Sequence, residues 1–546
     1  MTKQKNSKSN NFLVQGSILA IAGIVVRLIG LLYRVPLTNI IGEEGIGVYS
    51  TAYSIYNILL LISSYTLPLA VSRLIAARLA IKDYTNSNRL FIGACVFALI
   101  SGGLMGGICL FGADFFADIM NMPQASFAIK TLSPTIFIMA FLGVLRGYFQ
   151  GHKTMVPTAV SQIIEQIVNA AISLLAGYLL FKSGSALDAA NGTGSYYAAS
   201  YGAGGGTIGT GAGALSAFIF CLLLYFAHRP KALKAAARDS HKEESYKFLM
   251  KVLVLTIIPV LISTTIYQVS TVIDQAIYAK YVNTDYTGIW GAYNGKFMLL
   301  VHVPTAIASS LGSAVIPTLA AALQSGSKKE ITDKSSIAIR FNMVIAIPAT
   351  IGLAFLAKPI MDLLFSSDNT LAATMMMVGS TTIMFTAMST ITNSILQGIG
   401  NIWLPVRNAV ISLVLHIGIL ALLLWGFDMG IYGVIYANIA FYIIMSVLNN
   451  LTLKKRLGYK QEWIKTFASP IIASAVMGIA ALLIYKGLYA ISGSNFISVF
   501  AAIIVAVIVY FAALLLSKGV GEEDLLRMPM GAKILSISKK LHLIRS

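Results

Sequence analysis

Apolar residues run along most of this chain in stretches of about 20, the length an α-helix needs to cross a bilayer core of ~30 Å. Fourteen such stretches are expected, near residues 12–40, 46–69, 90–112, 127–149, 155–181, 205–227, 252–281, 287–311, 336–357, 371–396, 404–425, 431–452, 467–489 and 496–517. An even number puts both ends on one side. The basic residues choose the side: 32 of the 40 Lys and Arg lie in the N-tail, in segments 73–89, 146–153, 229–251, 328–340 and 454–465, at Arg407 and in the C-tail. The opposite connections are short and neutral or acidic, as at Glu43-Glu44, Asp114 with Asp118, Asp285 and Asp428. Basic loops stay in the cytoplasm, so both termini are expected there.

Composition supports this pattern. Of 546 residues, 57% are hydrophobic and 11% charged, too little polar surface for a soluble protein of this size. The chain reads as an all-α polytopic membrane protein. A net charge of +19 would suggest nucleic acid in a soluble chain. Here it reads as topology signal facing anionic lipids, and no nucleic-acid partner is expected. Cys95, Cys109 and Cys221 lie in apolar runs and read as packing residues, with no metal pattern. The first apolar run is too long for a signal peptide. Gly204 to Gly209 fits a GxGxxG pattern but does not follow a strand, so close helix packing is expected instead of a dinucleotide. The tail from Leu525 to Ser546 mixes apolar and basic residues like an amphipathic helix on the inner leaflet.

Three stretches recur about 240 residues apart in the same order: Gly47-Val-Tyr-Ser with Gly288-Ile-Trp-Gly, Ala70-Val-Ser-Arg-Leu with Ala314-Val-Ile-Pro-Thr-Leu, and Gln150-Gly151 before Pro157 with Gln397-Gly398 before Pro405. Six helices separate the copies, so the halves share orientation. Parallel repeats are a transporter design, with substrate expected between the halves. The division expected is an N-lobe over 1–228, a basic linker over 229–251, a C-lobe over 252–453, two extra helices within 454–517 and a tail over 518–546.

Charges inside the spans carry the candidate chemistry. Arg27 and Arg34 are seven residues apart, on nearly one helix face, ~10 Å along the axis. Each costs roughly 2.5–3.5 kcal/mol to insert, so the face should meet water, a counter-charge or an anionic ligand. Pro36 should bend this helix at its outer end. Glu165, Asp274, Lys296 and His302 also fall within spans. An internal ion pair such as Arg27 with Glu165 is one structural alternative, and His302 is expected only to hydrogen-bond a neighbour. Arg73 and Arg78 end the second span, as topology signals or as a first contact for an anionic headgroup. Arg27, Arg34 and Lys296 together suit a phosphate or diphosphate, which guanidinium binds bidentately. Glu165 and Asp274 are candidates for ion coupling or charge balance.

The segments Val26-Arg27-Leu-Ile-Gly-Leu-Leu-Tyr-Arg34-Val-Pro36, Gly42-Glu-Glu-Gly-Ile-Gly-Val-Tyr49 and Leu145-Arg-Gly-Tyr-Phe-Gln-Gly151, with fourteen helices as six, six and two, resemble a known family. The chain is similar to the polysaccharide-export and lipid II flippase branch of the multidrug/oligosaccharidyl-lipid/polysaccharide superfamily, closest to MurJ-like proteins of the YtgP and SpoVB type. The resemblance implies transport of undecaprenyl-diphosphate-linked sugars between leaflets by alternating access. It implies a cationic cavity lined by helix 1 arginines, matched here by Arg27 and Arg34 at a spacing one residue longer, and by a basic residue of helix 8, matched by Lys296. A further helix 2 arginine of the Gram-negative branch has no counterpart within 46–69, and Arg73 is the candidate substitute. The two extra helices would form a groove for the lipid tail.

The expected function is lipid II flipping for peptidoglycan synthesis and cell shape, with no covalent chemistry and no enzyme activity. With no P-loop or soluble ATPase segment, the drive is expected from membrane potential or a monovalent cation gradient (Na+ or H+), with no cofactor and no metal. Partners expected are the lipid substrate, the bilayer and cell-wall synthesis proteins, around a monomer. The alternatives are another undecaprenyl-linked polysaccharide, a multidrug antiporter, a membrane glycosyltransferase or a division scaffold. The basic spans argue against cationic drugs. The longest outer segment, 183–204, has one acid, Asp188, which is thin for a transferase.

Overall fold

The computed structural model describes residues 2–282, 285–324, 326–401, 403–517 and 519. Those residues are helical almost throughout, with no strand among them. In chain order the helices are α1 Thr2–Leu60, α2 Leu67–Ala80, α3 Tyr84–Phe111, α4 Ala113–Ile119, α5 Ala125–Gly151, α6 Val156–Asn191, α7 Tyr196–Ala236, α8 Tyr246–Val282 and α9 Thr287–Gly291. A π-helical turn over Ala292–Met298 leads to α10 Leu299–Gln324, α11 Lys328–Phe355, α12 Ala357–Leu364, α13 Thr370–Gly379, α14 Thr381–Gly398, α15 Trp403–Ala421, α16 Gly430–Leu457, α17 Ser469–Ser492 and α18 Asn495–Leu516. Among the described residues, 11 helices are long and apolar enough to cross a membrane, or 12 if α13 and α14, bent by 46°, form one span. The expected amphipathic tail over 525–546 lies outside the described residues.

The runs expected at 12–40 and 46–69 are joined by α1, which leaves helical geometry at Gly42 (φ 73°, ψ 178°). The break therefore falls at Gly42 and not at Pro36, which stays inside the helix. A left-handed φ costs glycine nothing sterically, so the chain turns where it has no Cβ.

Packing divides the chain into two compact units, Met1–Gly295 and Lys296–Ser546. In the first of these units, α8 packs with the helices before it. Leu249, Leu253 and Ile257 of α8 join one apolar core with α2, α3, α5 and α7 residues. The preceding linker is clasped by the α2–α3 turn. The Asn86 side chain donates to the Lys242 carbonyl at 2.9 Å and accepts from the Glu244 N–H at 2.7 Å. Arg78 pairs with Glu244 and Arg89 with Glu243. The Thr85 N–H donates to Asp239 at 2.8 Å. That bond leads in holding the Asp239 carboxyl below its usual range, and Asp239 in turn raises His241.

Within the first unit, α6 and α7 pack along a glycine stripe. Gly205, Gly209 and Gly213 recur every four residues, and a Cβ on each would run into the backbone of Ala176, Ser173 and Glu165 respectively. This small-xxx-small seam lets two backbones approach and gives the 204–209 glycines the packing role expected of them. Gly209→Val is therefore expected to destabilise the protein by about 1–3 kcal/mol or more through overpacking. Gly103→Ala, with nothing within 4 Å of the added carbon, is expected to be neutral or better. Thermal unfolding of the two purified variants checks the contrast, and equal melting temperatures would remove the seam from the account.

In the second unit, α17 and α18 pair and lie against α11, around Val344, Met477, Ala502 and Tyr510. Tyr510 donates to the Val344 carbonyl at 2.7 Å. The α17–α18 pair is thus anchored through α11.

Candidate functional site

Arg34 lies half-buried among tyrosines. Its guanidinium carbon is 5.7 Å from the Tyr49 ring centroid and 5.6 Å from that of Tyr53. Tyr33 and Tyr49 hydroxyls meet at 3.3 Å, and Tyr53 pairs with Thr210 of α7 at 2.8 Å. Tyr49, Tyr53 and Tyr56 repeat at helical spacing on one face of α1, and their rings touch in series, with centroids 4.9 and 5.4 Å apart. Tyr49 and Tyr53, the two rings that face the guanidinium, form an aromatic cage for the cation. Cation–π contact contributes about 0.5–2 kcal/mol, short of the insertion cost of an arginine. Arg27 lies one heptad earlier on the same helix and is exposed.

Glu165 does not pair with Arg27. Its carboxylate accepts from Arg146 at 2.7 Å, and Arg146 also donates to Ser161 at 2.9 Å. Arg146 is buried, at 8% side-chain exposure against 24% for Glu165. The arginine that pairs with Glu165 lies in the Leu145-Arg146-Gly147 segment, where sequence alone does not show its role. A basic residue spaced to meet an acid on the next helix is the one signal that could have found it.

Lys296 sits in the π-helical turn, itself a frequent marker of function, and is fully buried in the second unit. Its ammonium donates to Ser367 Oγ and Asn369 Oδ1, both at 2.7 Å, and to the Asp368 carbonyl at 3.3 Å. The Phe365 ring lies 5.6 Å away. The α12–α13 connection thus holds this cation. Asp274 is buried in α8, beside Gln275, which donates to Thr51 of α1. Arg73 lies on an exposed face of α2, and His302 is exposed on α10.

Where α1 meets α9, the two copies of the recurring motif cross. A Cβ on Gly47 would strike the Thr287 carbonyl, and one on Gly291 the Glu43 carbonyl. Glycine at both positions lets the backbones touch.

Long apolar helices carrying charges inside spans define a multi-pass protein of the bacterial cell membrane. More particularly, the chain belongs to the polysaccharide biosynthesis protein family, whose profile matches residues 13–323. A second profile, MatE, matches residues 259–422. The chain is 24% identical over 497 residues to lipid II flippase MurJ of Bacillus subtilis (strain 168), covering 86% of this chain and 87% of that protein. It is 22% identical over 531 residues to stage V sporulation protein B of the same organism, covering 96% and 99%. Among solved structures, an inward-closed lipid II flippase MurJ matches with TM-score 0.63 and 16% identity over 91% of this chain and 97% of that one. An inward-facing multidrug resistance MATE transporter matches with TM-score 0.64 and 15% identity over 80% and 98%. These likenesses show that the chain shares the fold of those two proteins.

Proposed function

We propose that this protein is a lipid II flippase, moving an undecaprenyl-diphosphate-linked peptidoglycan precursor from the inner to the outer leaflet by alternating access. The observation that carries the reading is the caged guanidinium of Arg34 inside an apolar helix, in a chain similar along 86% of its length to a lipid II flippase. Arg27 and Arg34 bind the diphosphate. Lys296 and Arg73 supply further positive charge along its path, and Glu165 with Asp274 balance charge or couple an ion. The chain has fourteen spans, two lobes of six and two extra helices that hold the lipid tail, with both ends cytoplasmic. The crossing at Gly47 and Gly291 is the outer gate in its closed state. Membrane potential, ~2.3 kcal/mol per charge at 100 mV, or an Na+ or H+ gradient drives the cycle. The protein acts as a monomer beside the cell-wall synthesis machinery.

A second reading, a different undecaprenyl-linked glycan, is favoured by the match of residues 13–323 to the polysaccharide biosynthesis protein profile. Binding to the purified protein separates the two. Lipid II is expected to bind at least tenfold tighter, about 1.4 kcal/mol, than undecaprenyl diphosphate carrying an unrelated glycan. Equal affinities move the assignment to the second reading, and absence of binding by both lipids overturns the flippase itself.

A further inference from the structure

At the end of the first unit that carries the 229–251 linker, a cavity of about 340 Å³ opens between α3, α5 and α7. Its polar wall comes from three segments: Ser87 and Asn88 from α3, His152 and Lys153 from the turn after α5, and His228 from α7. Its lining contains no carboxylate among the described residues.

The two histidines are positioned, not loose. The His152 and His228 rings lie 5.1 Å apart at 81°. Tyr148 holds both: its hydroxyl bonds His228 Nδ1 at 2.9 Å, and its carbonyl accepts from His152 Nδ1, also at 2.9 Å. A carbonyl can only accept, so Nδ1 of His152 carries its proton and any second proton sits on Nε2. Burial, and after it His228, holds His152 below the usual histidine range.

Lys153 adds a third basic side chain to the lining. It takes φ +62°, just past the end of α5, where glycine is the residue free of strain. The helix end accounts for one nearby cation. It does not account for two histidines and a lysine from two segments lining one cavity with no carboxylate in its lining among the described residues.

We propose that this cavity is a phosphate-binding site, separate from Arg34, that takes the phosphate of an anionic lipid headgroup or of a soluble phosphoryl compound. Its volume admits a phosphate with an attached glycerol or sugar. Donors from Ser87, Asn88, His228 and Lys153 surround the anion, and His152 joins them when protonated.

The test uses the full chain in phosphatidylcholine nanodiscs, with Arg27→Gln and Arg34→Gln combined as parent so that binding at the α1 arginines does not contribute. The probes are inorganic phosphate and dihexanoyl phosphatidylglycerol. Saturable binding of at least one probe is expected, weakened tenfold or more by His152→Gln and by Lys153→Gly. Lys153→Gly relieves the left-handed strain, so its melting temperature should match or exceed the parent's, which separates lost binding from lost folding. Binding of both probes means the bare phosphate suffices, and binding of the lipid alone assigns the headgroup. Affinities unchanged in both variants, or no saturable binding of either probe, would overturn the proposal.

Discussion

Replacing Arg34 with alanine is expected to weaken lipid II binding at least tenfold and to abolish flipping, with the fold retained. An arginine deep in an apolar helix costs roughly 2.5–3.5 kcal/mol. Contact with the Tyr49 and Tyr53 rings, 5.7 and 5.6 Å away, offsets about 0.5–2 kcal/mol of that. The remainder is met when an anion arrives. A hydrogen bond to a charged group contributes about 1.5–3 kcal/mol, so even one guanidinium–phosphate bond corresponds to a tenfold change or more. Arg34→Lys keeps the charge but loses the planar fork, and should fall between wild type and alanine. Because the substitution removes a costly charge from an apolar segment, the melting temperature should hold or rise. Lipid binding, a flipping assay and thermal unfolding on one preparation give the answer. Wild-type transport by Arg34→Ala, or loss of transport together with unfolding, would make Arg34 a structural residue.

What the sequence made legible follows from which forces act locally. The spans showed because a bilayer demands long apolar runs, and every helix above the membrane-length threshold falls where a run was expected. The glycine seam of α7 showed because small residues at four-residue spacing have one physical use in an apolar helix. The position of the break in α1 was less legible: proline signals a bend in any context, whereas the turn at Gly42 needs a φ that only the backbone reveals. Partners of charges were least legible. Hydropathy places Arg34, Glu165 and Lys296 inside spans, but not which neighbour each helix face meets. The tyrosine cage, the Arg146 bridge and the hold of Ser367 and Asn369 on Lys296 come from chain segments brought together only by packing. The same holds for α8, which adjoins a basic linker in sequence yet packs with the helices before it.

Arg146→Leu is expected to destabilise the protein by about 3–5 kcal/mol, the cost of leaving one member of a buried pair without the other. Glu165, at 24% side-chain exposure, loses its 2.7 Å partner, and Ser161 loses the donor at 2.9 Å. Removing both charges changes the sign of the argument. A buried pair exchanged for apolar residues of similar volume is often neutral or stabilising, so Arg146→Leu with Glu165→Leu should melt near wild type. That double variant also decides what Glu165 does. If the carboxylate only balances Arg146, the stable double variant still flips lipid at close to the wild-type rate. If it carries a coupling ion, the double variant is stable but its flipping no longer responds to an imposed Na+ or proton gradient. Equal destabilisation by the single and double changes would mean that the two side chains do not act as a pair, and charge balance in the first unit would then rest on other residues.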